Sequence, residues 1–354
     1  MGLPKISIAF KTAGITAIKR GERGIVALIL KDSAKTGTFV MSDVSEIPEG
    51  ISDYNREQIL LAMMGTANPP KRVIAYVLPA AATNYDAAMN YLETIKWDYL
   101  AIPGIADADV TTVATWIKQL RSTKDKKIKA VLPKCEGDNE GIVNFVTDEI
   151  KVGEKTYTAS DYCSRMAGIL AGMPLTISAT YQVLTEVDDV PHLKDTELNK
   201  GIDNGELILY HDGEKVKIAR AVNSFVSATK DKGEDFKKIK IVDILDLIHQ
   251  DIKKTAEDYY IGKVANSYDN KCLLISAIQA YFEALELDGL LDTGKNQVFI
   301  DILAQSNYLK GIGVDVSNMS EQQIKEANTK DKVFLSANIK PLDAVEDITL
   351  SVTL

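Results

Sequence analysis

The chain closes on a strict alternation of apolar and polar residues. Apolar side chains occupy every second position of the last segment, at Ile348, Leu350, Val352 and Leu354. A period of two residues predicts a half-buried β-strand, which needs the edge of another strand as a partner. The preceding span Pro341–Glu346 reaches roughly 20 Å when extended, which is enough to bring the strand to another copy of the protein.

The first residues alternate in the same way, with Ile6, Ile8 and Phe10 separated by Ser7 and Ala9. Two explanations stay open for these terminal strands. Terminal strands most often pair within their own domain, but a chain with one strand at each end can also add both to neighbouring subunits. We predict the second arrangement, with inter-subunit arms formed by the apolar residues Ile6, Ile8, Phe10, Ile348, Leu350 and Val352.

The middle of the chain predicts a parallel sheet. Three near-continuous apolar runs, each closed by a proline, lie at 73–78, 98–102 and 128–132. Two segments with helical spacing, 84–96 and 109–121, lie between them. Strands that are buried on both faces and separated by amphipathic helices are typical of βαβ units. Further on, the Asp212-Gly213 turn predicts a β-hairpin.

The last third changes to long amphipathic helices, predicted at 236–260, 272–288 and 297–309 and followed by two C-terminal strands that pair with each other. The predicted fold class is therefore α/β, with an α/β middle domain of parallel strands plus a hairpin and an α+β C-terminal domain. The predicted boundaries are an N-terminal arm at 1–20, an α/β domain at 21–232, a C-terminal domain at 233–345 and a C-terminal arm at 346–354.

Composition and charge narrow the class of protein. A net charge of −9 and a pI near 5.1 argue against direct nucleic-acid binding, which needs a basic face. The three cysteines, Cys135, Cys163 and Cys272, are widely spaced and odd in number, which favours a reducing compartment. The first residues contain no apolar signal region, and no apolar run approaches 18 residues, so we expect neither a signal peptide nor membrane insertion.

Motifs for chemistry are missing from the sequence. The three histidines, His192, His211 and His249, lack the spacing of metal ligands, and no phosphate-binding glycine loop or nucleophile motif occurs. We therefore predict no catalytic, cofactor-binding or metal-binding residues. The alternative that the α/β pattern leaves open is an enzyme that binds a nucleotide or another small molecule.

Four lysines on the long helical segment form a candidate interaction surface: Lys237, Lys238, Lys253 and Lys254. Acidic residues are interleaved with them, at Asp235, Asp243, Asp246, Asp251 and Glu257. This mixture predicts either a solvated helix face or a basic stripe that faces an acidic partner, whose charge would then fix the register of binding.

The same segment carries a resemblance to a known family. The stretches DFKKIKIVDILDLI at 235–248, DYYIGKVAN at 258–266 and LISAIQAY at 274–281 resemble the C-terminal domain of tail sheath proteins from contractile phage tails and R-type bacteriocins, or tailocins. NGELIL at 204–209 and ARAVNS at 219–224 resemble the central domain of that family. The small size suggests the sheath of a Gram-positive tailocin, of the diffocin type. The sheath of an ordinary prophage is an alternative that stays open.

The resemblance implies a structural function without catalysis or cofactors. Sheath subunits of this family form stacked hexameric rings, a helical polymer around an inner tube, and the sleeve contracts to drive the tube through a cell envelope. Their arms add strands to adjacent subunits, the C-terminal domain faces the tube, and the α/β domain faces outward. The four lysines are then tube-facing candidates.

The expected partners are the chain itself, the inner tube protein, and the baseplate and tail-terminator proteins. The resemblance further implies assembly in the host cytoplasm and release by lysis as an extracellular particle. A tube, baseplate or capsid component is a competing interpretation, although tube proteins of such systems are much smaller than this chain.

Overall fold

The computed structural model describes residues 17–353. Its strands are β1 Ile25–Asp32, β2 Gly37–Met41, β3 Arg72–Pro79, β4 Tyr99–Ala101, β5 Lys129–Pro133, β6 Ile142–Phe145, β7 Ile150–Val152, β8 Lys155–Tyr157, β9 Glu206–Leu207, β10 Leu209–His211, β11 Val216–Ile218, β12 Gln297–Ile300 and β13 Leu335–Asn338. Its helices are α1 Asp53–Met63, α2 Asp86–Leu92, α3 Asp107–Ser122, α4 Ala159–Gly172, α5 Asp195–Asp203, α6 Ile239–Tyr259, α7 Tyr268–Leu287, α8 Ile302–Gly311 and α9 Glu321–Glu326.

The described residues divide into two compact units. The first, the α/β unit, comprises Gly21–His249 and residues 343–353. The second, the C-terminal unit, comprises Gln250–Leu342 and residues 17–20.

A seven-stranded sheet in the order β2-β3-β1-β4-β5-β6-β9 forms the centre of the α/β unit. All its strands are parallel except β2, which pairs antiparallel with β3 at one edge. β1 is buried along nearly its whole length because helices cover both faces of the sheet. This confirms the predicted α/β class with parallel strands and a hairpin, the hairpin being β10 paired with β11.

Alternate residues of each strand build two apolar layers. Val26, Leu28 and Leu30 of β1 pack in the layer that contains α1 and α4, whereas Ile25 and Ala27 pack in the layer that contains α2 and α3. α1 and α4 lie so close together that a Cβ atom added at Gly168 would be only 2.2 Å from the carbonyl oxygen of Ala62. Only glycine therefore permits this backbone approach.

The C-terminal unit contains helices and a small two-stranded sheet. β12 pairs antiparallel with β13, and α7 packs beside β12. The prediction of one helix over 297–309 is wrong, because its first four residues form β12 and the helix begins at Ile302. Asp301 separates the two elements, since its carboxylate accepts a hydrogen bond from the backbone N–H of Ala304 and so caps α8.

The predicted pairing between the last two C-terminal strands is also wrong. Leu335–Asn338 forms β13 but pairs with β12. Residues 342–353 contain neither helix nor strand.

Candidate functional site

The C-terminal arm presents its apolar residues to solvent. Ile348 is 83% exposed, Leu350 81% and Val352 72%. These residues show no ladder pairing with any other part of the described chain. Apolar side chains that alternate along an unpaired backbone are suited to strand addition, because backbone groups supply affinity and alternate side chains fill pockets. Of the predicted arm residues, Ile6, Ile8 and Phe10 lie outside the described residues.

The sheet of β12 and β13 offers edges on which a strand can add. Val298 stands opposite Ala337, and Phe299 stands opposite Ser336. The N–H of Asp301 donates to the carbonyl of Phe334 at 3.0 Å. Because hydrogen-bonded and non-hydrogen-bonded pairs alternate along an antiparallel ladder, the pair Phe299–Ser336 is hydrogen-bonded and the pair Val298–Ala337 is not. The backbone groups of Phe299 and Ser336 therefore point toward each other, whereas those of Val298 and Ala337 point away from the partner strand. Within residues 17–353 this sheet has two strands, so both edges carry such outward groups.

The four candidate lysines occupy different surroundings. Lys237 Nζ lies 2.7 Å from a carboxylate oxygen of Glu234, and Lys238 is paired with Asp343. Lys253 is half-buried and Lys254 is exposed, both on the part of α6 that belongs to the C-terminal unit. The charges of Lys237 and Lys238 are thus already balanced within the subunit. Their assignment to a tube-facing surface stays a prediction.

The acidic residues on the first half of α6 are buried. Asp243 is 5% exposed and Asp246 6%. The interpretation of this helix as a solvated face is therefore wrong for both residues. Lys129 at the start of β5 lies between them, with its Nζ 2.8 Å from Asp243 Oδ1 and 2.6 Å from Asp246 Oδ2.

Asp243, Asp246 and Lys129 belong to a buried ionic cluster at the amino ends of β1, β4 and β5, and two arginines complete it. Arg23 donates to Asp243 at 2.6 Å, and Arg121 donates to Asp246 at 2.9 Å. The hydroxyl of Tyr99 also donates to Asp243, at 2.8 Å. Buried charges are tolerated when they are paired and hydrogen-bonded in this way, so the cluster fastens the start of α6 to the sheet.

Acid is expected to weaken this attachment. Burial raises the pKa of the Asp246 carboxyl, but Lys129 and Arg121 outweigh burial and lower the pKa to about 2. A carboxyl whose pKa is lower in the folded state stabilises the fold above its unfolded pKa, near 4, and that stability is lost as pH falls toward 2. Thermal melting of wild type and Asp246→Asn at pH 5 and pH 2.5 should show a smaller acid-induced decrease for the variant. Equal decreases would contradict this assignment.

The carboxyl ends of the strands, where α/β enzymes bind nucleotides, carry acidic groups of the protein itself. The carboxylate of Asp32, at the end of β1, accepts hydrogen bonds from the backbone N–H groups of Ala34 and Ser52 at 2.8 and 2.9 Å. Burial works against the ionised form, but these N–H groups prevail and lower the pKa of Asp32. These two N–H groups are therefore occupied by a carboxylate of the protein itself.

A cavity of about 490 Å³ at the end of β5 is also lined by acidic side chains. Asp107, Asp148 and Glu149 line it, and its cation Lys134 is already paired with Asp148. Such a lining repels phosphate. Among residues 17–353, no group of three or more His, Cys, Asp or Glu side chains is arranged to hold a metal ion. No described helix combines the length and apolar character needed to cross a membrane.

Comparisons with known proteins agree with this architecture. A family model for the phage tail sheath protein central domain matches residues 79–224, and a model for the phage tail sheath C-terminal domain matches residues 231–354. The chain is 38% identical to the tail sheath protein of Clostridium phage phiCD119, over 99% of both chains.

Two solved structures share the fold. A sheath tail protein from Desulfitobacterium hafniense superposes with a TM-score of 0.72 at 19% identity, covering 84% of this chain and 94% of that one. A chain in the baseplate structure of the anti-feeding prophage superposes with a TM-score of 0.65 at 15% identity, covering 100% and 99%.

The two family models and the full-length relative place this chain among the structural proteins of phage tails. The chain belongs to the phage tail sheath family. Its function is that of a structural subunit of a contractile tail sheath. This confirms the resemblance found in the sequence.

Proposed function

We propose that the subunits of this sheath are joined by strand donation, in which the C-terminal arm of one subunit adds to the β12–β13 sheet of a neighbour. The observation that carries this proposal is the unpaired, alternating apolar segment with Ile348, Leu350 and Val352 each more than 70% exposed. An isolated two-stranded sheet is marginally stable in water, so an added strand also stabilises the acceptor. The residues Ile6, Ile8 and Phe10 form the second arm in this proposal.

The polymer is a stack of hexameric rings around an inner tube, and it contracts to drive that tube through a cell envelope. Two packings of the subunits separated by a barrier would supply the motion, as in other interface rearrangements. Backbone-bonded arms keep neighbours connected while the rest of each subunit moves. In this proposal the arms join the folded domains at residues 20 and 345, and residue 232 separates the α/β domain from the C-terminal domain.

The partners of the chain are then other copies of itself, the inner tube protein, and the baseplate and tail-terminator proteins. Lys254, which is exposed, is the strongest tube-facing candidate of the four lysines. The subunit assembles in the host cytoplasm and leaves by lysis as part of an extracellular particle. It has no catalytic activity and binds neither nucleic acid nor membrane directly.

Proline on the acceptor edges tests strand donation. In Val298→Pro and Ala337→Pro, the lost N–H groups point away from the partner strand, so the hairpin keeps its own hydrogen bonds. We expect both variants to melt within a few degrees of wild type. At least one of them should fail to form sleeves in negative-stain electron microscopy, because its edge can no longer pair along its length.

Ser336→Pro is the matched control, since its N–H points inward and its loss should lower the melting temperature. Sleeves of normal length and yield in both outward variants would contradict strand donation at this sheet. Wild-type protein that stays monomeric at all concentrations would contradict polymerisation itself. Closed shells in place of tubes would favour a capsid component.

A further inference from the structure

Residues 343–347, which lead into the apolar part of the C-terminal arm and are called its root below, bind a polar receptacle on the α/β unit. The hydroxyl groups of Ser178 and Thr180 lie 2.9 and 2.5 Å from Glu346 Oε1. Arg220 Nε lies 3.6 Å from Glu346 Oε2, and Arg220 Nη2 lies 2.7 and 2.8 Å from the two carboxylate oxygens of Asp347. A single guanidinium thus holds two consecutive carboxylates of the arm.

The receptacle is built on a fixed part of the α/β unit. Thr180 Oγ1 accepts a hydrogen bond from the N–H of Ala221 at 3.0 Å. The N–H of Tyr181 donates to the carbonyl of Ile218, the last residue of β11, at 2.8 Å. Hydrogen bonds therefore join the loop that carries Ser178 and Thr180 to the chain on both sides of Arg220.

A second attachment lies closer to the start of the arm. Lys238, the residue that immediately precedes α6, forms an ion pair with Asp343. Residues 343–347 are thus held at both ends, by Lys238 at one and by Arg220 at the other. We call Ser178, Thr180, Arg220 and Lys238 the root clamp.

Glu346 is the last buried side chain before the apolar arm. The side chain of Glu346 is 9% exposed, whereas that of Asp347 is 84% exposed. The next residue, Ile348, is 83% exposed, and the apolar arm continues from it. Val345, the residue before Glu346, is itself 84% exposed, so the exit point of the arm is defined by the anchored Glu346 carboxylate and not by burial of the whole root.

We propose that the root clamp positions the C-terminal arm for donation by fixing where it leaves the subunit that donates it. This inference rests on strand donation as the proposed function. Residues 348–353 reach roughly 20 Å from the exit point, so the position of that point decides which neighbouring edge lies within range. Because the root is ordered before subunits meet, its conformational entropy is not lost during association.

Removal of the clamped carboxylates tests the proposal. In Glu346→Ala/Asp347→Ala, backbone nitrogen-15 relaxation of the monomer should show increased mobility of residues 343–347 and no change elsewhere in the α/β unit. The critical concentration for sleeve formation should rise at least tenfold, while the melting temperature stays within a few degrees of wild type. Arg220→Met is the second variant and should reproduce both effects from the receptacle side.

Lys151→Met is the matched control, because it removes an ion pair with Asp189 at 2.9 Å on the same unit, with no contact to the arm. It should change neither the mobility of residues 343–347 nor the critical concentration. The proposal is overturned if wild type assembles and both clamp variants assemble at the wild-type concentration. It is also overturned if nitrogen-15 relaxation finds residues 343–347 as mobile as residues 348–353 in the wild-type monomer. A wild type that never assembles would instead remove the proposed function on which the clamp depends.

Discussion

Removal of residues 348–354 is expected to abolish sleeve formation and to leave the subunit folded. The removed side chains at Ile348, Leu350 and Val352 contribute little to the fold, because each is more than 70% exposed. Their burial on a neighbour would stabilise the polymer by about 1.5–3 kcal/mol for each fully buried side chain, in addition to the backbone hydrogen bonds of the added strand. The measurement is electron microscopy together with sedimentation and thermal melting of the same preparations.

Two triple variants show whether the alternation matters. Replacement of the apolar residues, Ile348→Ser, Leu350→Ser and Val352→Ser, should prevent sleeves or raise the critical concentration by several orders of magnitude. Replacement of the polar residues between them, Thr349→Ala, Ser351→Ala and Thr353→Ala, should leave assembly nearly intact. Equal effects of the two triple variants would show that no face of the arm is buried. Normal sleeves from the truncated chain would show that the arm has no role in assembly.

Lys129→Met is expected to lower the free energy of unfolding of the α/β unit by about 3–5 kcal/mol. The substitution keeps the apolar stem but removes the cation that lies between Asp243 and Asp246. Breaking a buried ion pair from one side has a large cost, because the remaining charge stays buried without full compensation. Urea unfolding followed by tryptophan fluorescence measures the change. Trp97 and Trp116 stack at 6.0 Å inside this unit and report on it directly.

Lys134→Met is the matched control for this substitution. Lys134 pairs with Asp148 at the surface, where the two side chains are 56% and 38% exposed. Exposed ion pairs contribute at most about 1 kcal/mol, so this variant should unfold close to wild type. A loss below about 1 kcal/mol in Lys129→Met would mean that the buried cluster does not hold α6 to the sheet.

The central sheet was predictable because its strands are buried on both faces. Runs such as 73–78 and 128–132 contain few polar residues, and the helices between them show a clear period. β2 escaped detection because it is a short edge strand, Gly37–Met41, that begins with glycine and lies half in solvent. The predicted helix at 297–309 was wrong over its first four residues, which form β12. Val298, Phe299 and Ile300 are consecutive apolar residues, and such a run fits the period of a helix as well as that of a strand. Asp301 as an N-cap was the signal that separates the two elements.

The candidate site was only partly predictable. The alternation of the C-terminal arm is a local pattern and is visible in the sequence alone. The clamp is not local, because Ser178 and Arg220 lie more than 120 residues before Glu346. The burial of Asp243 and Asp246 has the same origin, since their partners Arg121 and Lys129 are more than 100 residues away. The charge pattern along one helix cannot reveal the cations that other helices and strands bring to it.

A helical reconstruction of the assembled sleeve, at a resolution that separates strands, tests the central claim most directly. The account predicts continuous density in which residues 348–353 of one subunit run alongside β12 or β13 of a different subunit, with backbone hydrogen bonds between them. Density that turns these residues back onto their own subunit, with no pairing to a neighbour, would contradict it.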